Sequence, residues 1–306
     1  MKTSNKSSQR TRTVAATAAI VFFLSIASVL TILSGCSSTK ETRQTSVRPK
    51  GTIMRVAHRG GAALAPENTL AAFETGLNYD PDALELDIHL SNDGVLMVMH
   101  DPLLSRTTGE AKEISDYDAA TLATFNAAKT HKDARLFGFQ PIPTLEQVLG
   151  YVQTREQSVL LQIEIKLKQD GSRYDQLEEK LIALLRKYDR IDSSVIISFD
   201  FPSLQRIHEL EPSLQRGALI SKKYMTEIGS KGPKAVAENI ASLNVDYVGI
   251  NYNYLSQTLY DEFRAKGLGV GAWTVNEKEA ILRMAKLGVD FITSDYPDRL
   301  QQLLVD

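Results

Sequence analysis

Two carboxylates two residues apart, in Glu85-Leu86-Asp87, are the first place in this chain where chemistry is legible. In an extended segment, residues i and i+2 project to one side. The acids then share a face, and each raises the other's pKa unless a cation lies between them. Glu164, in Ile163-Glu164-Ile165-Lys166, holds the matching place in a later apolar segment. Carboxylates converging in this way make a hard, oxygen-rich site for Mg²⁺ or Ca²⁺. The same residues could instead form a structural ion-pair network with Arg59 and Lys166. Earlier in the chain stands His58-Arg59-Gly60-Gly61, followed by Pro66-Glu67-Asn68-Thr69. A histidine and an arginine beside glycines that let backbone approach a ligand suit a phosphate ester. The plainer alternative is a buried histidine held by backbone and an arginine in a surface pair. His89, His131 and His208 stand in settings that read as solvated surface.

Positioning these residues falls to eight short apolar segments rich in Val and Ile: 53–57, 83–89, 159–165, 195–199, 217–221, 247–251, 269–275 and 290–294. Helical patterns lie between most of them, at 69–78, 174–188, 202–209, 233–243, 255–266 and 277–287. Asn68 is placed to cap the first, and Gly267 and Gly288 to close the last two. The alternation predicts a (β/α)₈ TIM barrel, whose active-site face is formed by the C-terminal ends of its strands. An open doubly wound sheet is the runner-up, and the lack of a Gly-rich nucleotide loop after the first strand counts against it. One segment breaks the pattern. Val95–Met99 is separated from segment 83–90 only by Ser91-Asn92-Asp93-Gly94, which predicts a β-hairpin. A turn centred between Asn92 and Asp93 would set Glu85 across from His100 and Asp87 across from Val98. Residues from about 103 to 141 show no barrel strand and read as a small, partly helical insertion.

The N-terminus does not belong to this fold. Lys2, Lys6, Arg10 and Arg12 precede an apolar run from Val14 to Leu33, and then comes Leu33-Ser34-Gly35-Cys36. Such a run is long enough to span a bilayer, which takes ~20 residues, so a retained anchor is one reading. Cys36, the one cysteine in the chain, directly follows small residues, and the segment resembles a bacterial lipobox. Residues 1–35 are then a lipoprotein signal peptide. That resemblance implies Cys36 as the lipidated N-terminus, and residues 36–51, poor in apolar side chains, are expected to be a tether. Residues 52–306 are one domain, expected in the cell envelope on the extracytoplasmic side and held at a membrane. No disulfide is available to it. With 35 basic against 37 acidic residues, no global field points to nucleic acid as a partner.

Taken in order, His58-Arg59-Gly60, Pro66-Glu67-Asn68-Thr69, Glu85-x-Asp87, His100-Asp101 and Glu164-x-Lys166 resemble the signature of the glycerophosphodiester phosphodiesterase family. Arg106-Thr107-Thr108-Gly109, Ile142-Pro143-Thr144-Leu145-Glu146, Ser198-Phe199, Trp273-Thr274-Val275-Asn276 and Ser294-Asp295-Tyr296-Pro297 extend the resemblance over the whole domain. The resemblance implies a TIM barrel with an insertion after the hairpin. It implies His58 and His100 as a general acid/base pair and Glu85, Asp87 and Glu164 as ligands of a divalent metal. Arg59 would bind a non-bridging phosphate oxygen, Lys166 would hold charge developing on phosphorus, and Glu67 would orient the His58–Arg59 region. Trp273 would wall a glycerol pocket, unless it is ordinary packing at the barrel top. The implied reaction is hydrolysis of glycerophosphodiesters to sn-glycerol 3-phosphate and an alcohol, through attack by the glycerol's own hydroxyl. The chain carries no Gly-x-Ser-x-Gly elbow that would supply a side-chain nucleophile. A related lipid phosphodiester such as a lysophospholipid is the alternative substrate, and a non-catalytic binder of phosphorylated headgroups the alternative class.

Overall fold

Alternation of apolar and polar residues along β2 (Ala83–Leu90) and β4 (Leu160–Ile165) decides which side chains face inward. The computed structural model describes residues 52–155 and 158–305. The signal-like segment, Cys36 and the stretch 36–51 lie outside them. In the described residues β1 (Met54–Ala57), β2, β4, β5 (Ser194–Ser198), β6 (Gln215–Ile220), β7 (Tyr247–Asn251), β8 (Gly269–Trp273) and β9 (Phe291–Ser294) pair in parallel. β1 pairs with both β9 and β2, so the sheet closes into a barrel of eight strands. All eight predicted strand segments are present, with no end shifted by more than two residues.

β2 is longer than β1 and overshoots it. β1 meets β2 only at Ala83 and Leu84, whereas β4 follows β2 as far as Ile88. On the edge that β1 vacates, β3 (Leu96–Val98) pairs antiparallel with Ile88–Leu90. The hairpin therefore rises above the barrel's C-terminal end. Its register differs by one from the sequence expectation, because the loop has three residues and not four. Ser91 N–H donates to Val95 O, Gly94 N–H donates to Ser91 O, and Gly94 sits at φ 76°. That is a three-residue hairpin loop with its left-handed glycine, and the centre falls on Asp93. Ile88, not Asp87, faces Val98, and His100 lies past the end of the ladder.

Two faces of each strand build two parts of the core. Leu84, Leu86 and Ile88 of β2 and Leu161, Ile163 and Ile165 of β4 point outward and join the main apolar cluster with Leu149, Leu181 and Leu185 of the surrounding helices. Each such buried side chain contributes about 1.5–3 kcal/mol. Inside the barrel lie Val56, Ala83 and Phe291, then Val195, Ile197 and Leu219, with Tyr247 and Trp273 alongside. The aromatic rings need room that β7 and β8 supply by omission. A Cβ on Gly271 would come within 1.8 Å of the Phe291 ring, and one on Gly249 within 2.6 Å of Leu219. Above this apolar floor the inward positions turn polar, at Glu85, Asp87 and Glu164.

Residues beyond the hairpin form short turns around a separate small cluster of Met97, Met99, Leu104, Ile114, Leu122 and Ile142. Among the described residues no helix is long and apolar enough to cross a membrane. Helix Leu70–Leu77 is capped by Thr69, whose Oγ1 accepts from Ala72 N–H at 3.2 Å. Asn68, expected at that cap, sits one residue earlier at φ 58° and is used elsewhere. Gly267 and Gly288 stand just past their helices in the left-handed region, as expected.

Candidate active site

Parallel register sets Asp87 beside Glu164 and Glu85 beside Gln162, all facing into the barrel mouth. One oxygen from each of Glu85, Asp87 and Glu164 lies within 4.8 Å of the others, and all three residues are buried. Burial, reinforced by Asp87 and Glu164, holds Glu85 well above the ordinary carboxylate range. Burial also pushes Glu164 up to about 7, against the pull of Lys166. Asp87 resists its burial and is lowered, because Lys166 and Arg59 face it. Lys166 Nζ stands 2.9 Å from Asp87 Oδ1 and 2.6 Å from Glu164 Oε1. Both readings of this cluster thus have support in the geometry: three buried acids converge, and two cations border them. One ammonium and one guanidinium do not relieve Glu85 and Glu164. An all-oxygen set that remains short of positive charge fits a hard divalent cation.

The β1 loop feeds this cluster through strained backbone. Arg59 adopts φ 51°, and Asn68 φ 58°, a conformation costly for residues other than glycine. Arg59 N–H thereby donates to Glu85 Oε2 at 2.8 Å, and Asn68 Nδ2 donates to Asp87 Oδ2 at 2.8 Å. Gly60 permits the turn: a Cβ there would meet the backbone of Ala72 at 2.7 Å. The Arg59 guanidinium bonds Glu67 at 2.9 Å and lies 3.6 Å from Asp87.

Each candidate histidine is paired with a carboxylate at Nδ1. His58 Nδ1 is 2.5 Å from Asp295 Oδ1, and His100 Nδ1 is 2.6 Å from Asp101 Oδ1. Asp295 is lowered despite its burial by the His58 hydrogen bond, and Asp101 is lowered first by His100 and then by Arg106. Ionised carboxylates only accept, so each ring donates from Nδ1, and Nε2 carries the lone pair in the neutral tautomer. Burial lowers His100 below the usual histidine range, opposed by Asp101. His58 Nε2 lies 3.9 Å from Glu85 Oε2. A cavity of about 170 Å³ joins the parts, lined by His58, Arg59, Glu85, His100, Glu164 and Lys166 on one side and Ile197, Phe199, Leu219, Trp273 and Phe291 on the other. Phe199 and Trp273 meet edge to face at 5.6 Å.

Every residue singled out in residues 52–306 therefore borders the cavity or touches a residue that does. Glu67 is in the second group. It bridges Arg59 and Arg106, and Arg106 Nε reaches Asp101 Oδ2 at 2.5 Å. Trp273 is at once wall and packing, and its indole N–H has no hydrogen-bond partner among the described residues.

Other participants were not assigned from sequence. Asp101, Asp295, Asn276 and Arg106 stand in motifs that were visible. Asp295 is 237 positions from His58 and Arg106 is 39 from Glu67, whereas Asp101 is next to its partner His100 and five positions from Arg106. Asn276 Nδ2 donates to Asp295 Oδ2 at 2.7 Å, while its Oδ1 accepts from Ser294 Oγ and Asp295 N–H. His89 corrects its surface reading, being fully buried. Its Nε2 is 3.0 Å from the carbonyl of His100, and its Nδ1 is 2.9 Å from the Tyr174 hydroxyl. A carbonyl only accepts, so Nε2 donates to it. Burial pushes His89 down to about 4, so the ring is neutral at pH 7 and Nδ1 accepts from Tyr174. His131 and His208 are neither part of the cavity nor fully exposed.

Comparison with known proteins gives one consistent result. The family model described as the glycerophosphoryl diester phosphodiesterase family matches residues 58–299. A glycerophosphodiester phosphodiesterase of Bacillus altitudinis is 33% identical over 249 residues, 79% of this chain and 94% of that protein. One from Caldanaerobacter subterraneus subsp. tengcongensis is 30% identical over 249 residues, 81% of this chain and 96% of that protein. Among solved structures, an Oleispira antarctica phosphodiesterase in complex with the product sn-glycerol-3-phosphate superposes with a TM-score of 0.69 at 25% identity. That likeness covers 83% of this chain and 98% of the other.

Proposed function

The chain belongs to the glycerophosphoryl diester phosphodiesterase family, and from that premise we propose how it hydrolyses glycerophosphodiesters to sn-glycerol 3-phosphate and an alcohol. The observation that carries the reading is the pair of His–Asp couples whose histidines line the same cavity as Glu85 and Glu164 of the three-carboxylate cluster.

Glu85, Asp87 and Glu164 would hold the divalent cation, Mg²⁺ or Ca²⁺, which when bound supplies charge neutralisation at the phosphate and polarises phosphorus. Arg59 and Lys166 line the cavity beside that cluster. They complement the non-bridging oxygens, with Arg59 oriented by Glu67. His58 and His100 each offer Nε2. One, neutral, takes the proton of the attacking hydroxyl as it bonds to phosphorus and closes a cyclic phosphate. The other, entering protonated at Nε2, gives that proton to the departing alcohol, and the roles reverse when water opens the cyclic phosphate. The attacking group is the glycerol's own neighbouring hydroxyl. Holding it close to phosphorus is worth on the order of 7–11 kcal/mol in well-oriented cases. The apolar wall of Ile197, Leu219, Phe199 and Trp273 keeps bulk water from competing and shapes a pocket for the glycerol carbons.

Lipidation of Cys36, cleavage before it, and a place on the extracytoplasmic side of a membrane complete the reading, carried by the sequence of the first 36 residues. Purified residues 37–306, incubated with glycerophosphodiesters of different headgroups, should release glycerol 3-phosphate. A 2-deoxy analogue of glycerophosphocholine should bind and compete but resist cleavage. Its hydrolysis at the parent's rate would establish direct attack by water.

A further inference from the structure

The insertion carries an exposed cluster that phosphodiester chemistry does not use. Ala134–Phe137 is a single helical turn with no buried residue. Leu136 is 81% exposed and Phe139 57%, the two most exposed large hydrophobics among the described residues. Lys129, Lys132 and Arg135 are exposed on the same segment, and Asp133 is the one acid between positions 129 and 139. The loop is held in place at its root. Asn126 Oδ1 accepts from both Ala128 N–H and Gln140 N–H, and Ala127 N–H donates to Gln140 O at 2.8 Å. Thr130 Oγ1 donates to the carbonyl of Arg106 at 2.6 Å. Arg106 in turn holds Glu67 and Asp101, so the root stands one residue from the ion pairs that flank the cavity.

Exposed apolar side chains on a basic segment suit one partner in particular. A specific protein interface needs roughly 800 Å² per partner, far more than two or three side chains supply. A lipid surface needs less. A few aromatic and aliphatic side chains enter the headgroup layer, and lysines and arginines meet anionic phosphates at its edge. We propose that residues 129–139 dock the catalytic domain on an anionic lipid surface, with Leu136 and Phe139 entering it and Lys129, Lys132 and Arg135 contacting lipid phosphates. Docking there brings the cavity to the layer in which lipid-derived phosphodiesters arise. The docking stands apart from the phosphodiesterase reading, which enters only through the activity control.

The test uses residues 52–306, which close a barrel on their own core and match 96% of the length of a whole relative. Co-sedimentation with vesicles of phosphatidylglycerol and phosphatidylcholine is compared with phosphatidylcholine alone. The domain should bind the anionic vesicles, and added salt should weaken that binding. Leu136→Ser/Phe139→Ser should lower partitioning roughly tenfold, with the rate on soluble glycerophosphocholine unchanged. Lys129→Gln/Lys132→Gln/Arg135→Gln should lower partitioning by a similar or larger factor of roughly ten to a hundred. Absence of binding, or binding indifferent to the apolar double substitution, overturns the proposal. So does self-association of the domain in place of vesicle binding, relieved by that same variant, which would make the loop a protein interface. Vesicle binding with no activity on any soluble diester would uphold the docking and sink the phosphodiesterase reading.

Discussion

The two sides of the cavity solve the same problem with different materials. On the β1–β9 side, His58 is held by Asp295, and Asp295 by Asn276, whose own oxygen is fixed by Ser294 and the Asp295 backbone. These residues stand at or just past the ends of barrel strands. On the hairpin side, His100 lies beyond the last paired residue of β3, and its aspartate is held by Arg106, which is 45% exposed. There the support is an ion-pair chain, Asp101–Arg106–Glu67–Arg59, together with a buried brace from His89 and Tyr174 to the His100 carbonyl. The barrel side is rigid through one carboxylate whose supporting hydrogen bond comes from a neutral amide, itself fixed by a hydroxyl and a backbone N–H. The hairpin side is rigid only while its charges and its brace are intact, and this contrast has consequences that can be measured.

Removing either imidazole should erase the difference between the sides. His58→Ala and His100→Ala are each expected to lower kcat by roughly 10²–10⁴-fold with the fold retained, since neither ring is part of the apolar core. Circular dichroism and steady-state kinetics check both parts. His131→Ala and His208→Ala should leave turnover unchanged. If either ring proves dispensable, the symmetric acid/base assignment fails.

Replacing the carboxylates should reveal the asymmetry. In Asp295→Asn the new amide meets the Nδ2 donor of Asn276, which cannot turn because its oxygen already accepts two hydrogen bonds. In Asp101→Asn the opposing donor is Arg106, half in solvent and able to swing away. Expected losses in kcat are therefore about 10²–10³-fold at Asp295 and about tenfold at Asp101, with KM little moved in either. Equal losses would show that exposure of the partner does not matter.

The smallest effects belong to the brace. Tyr174→Phe removes one hydrogen bond, worth about 1 kcal/mol, and should slow turnover a few-fold without moving KM. His89→Leu should cost more, and His89→Gln, which keeps a donor for the His100 carbonyl, should recover part of the loss. Stability gives a second handle on His89. Its folded pKa is about 4 against an ordinary 6.5, so the unfolded chain binds the extra proton between those values. The wild type should lose stability relative to His89→Gln as pH falls from 6.5 towards about 4. Thermal melts across that window test it, and a pH-independent difference would mean the ring is not buried neutral.

How much of this was legible in the sequence depended on whether the signal was local. Glu85 and Asp87 share a face because they are two apart on one strand, and the strand announced itself by its apolar partners. Glu164 and Lys166 followed by the same alternation. His58 and Asp295 are 237 positions apart, so nothing local could pair them, even though both motifs could be quoted. His89 continues the inward series of Glu85 and Asp87, yet it read as surface because it lies near a hairpin tip. Tyr174, 85 residues away, is what covers it. The register slipped by one because the turn's centre depends on which of Ser91 and Gly94 closes the loop, and Ser91 pairing with Val95 settles it. Asn68 has the side chain of a helix cap, but it spends that side chain on Asp87 and leaves the cap to Thr69.

The central claim is that two histidines act beside a metal-binding carboxylate cluster on a glycerophosphodiester. Its most direct test is release of sn-glycerol 3-phosphate from glycerophosphocholine by residues 37–306, stripped of metal with a chelator and then titrated with Mg²⁺ or Ca²⁺. Glu85, Asp87 and Glu164 are buried and mutually repelling, so turnover should be absent from the stripped protein and restored by the added cation. Full turnover in the stripped protein would return the three carboxylates to an ion-pair role with Arg59 and Lys166 and contradict the account.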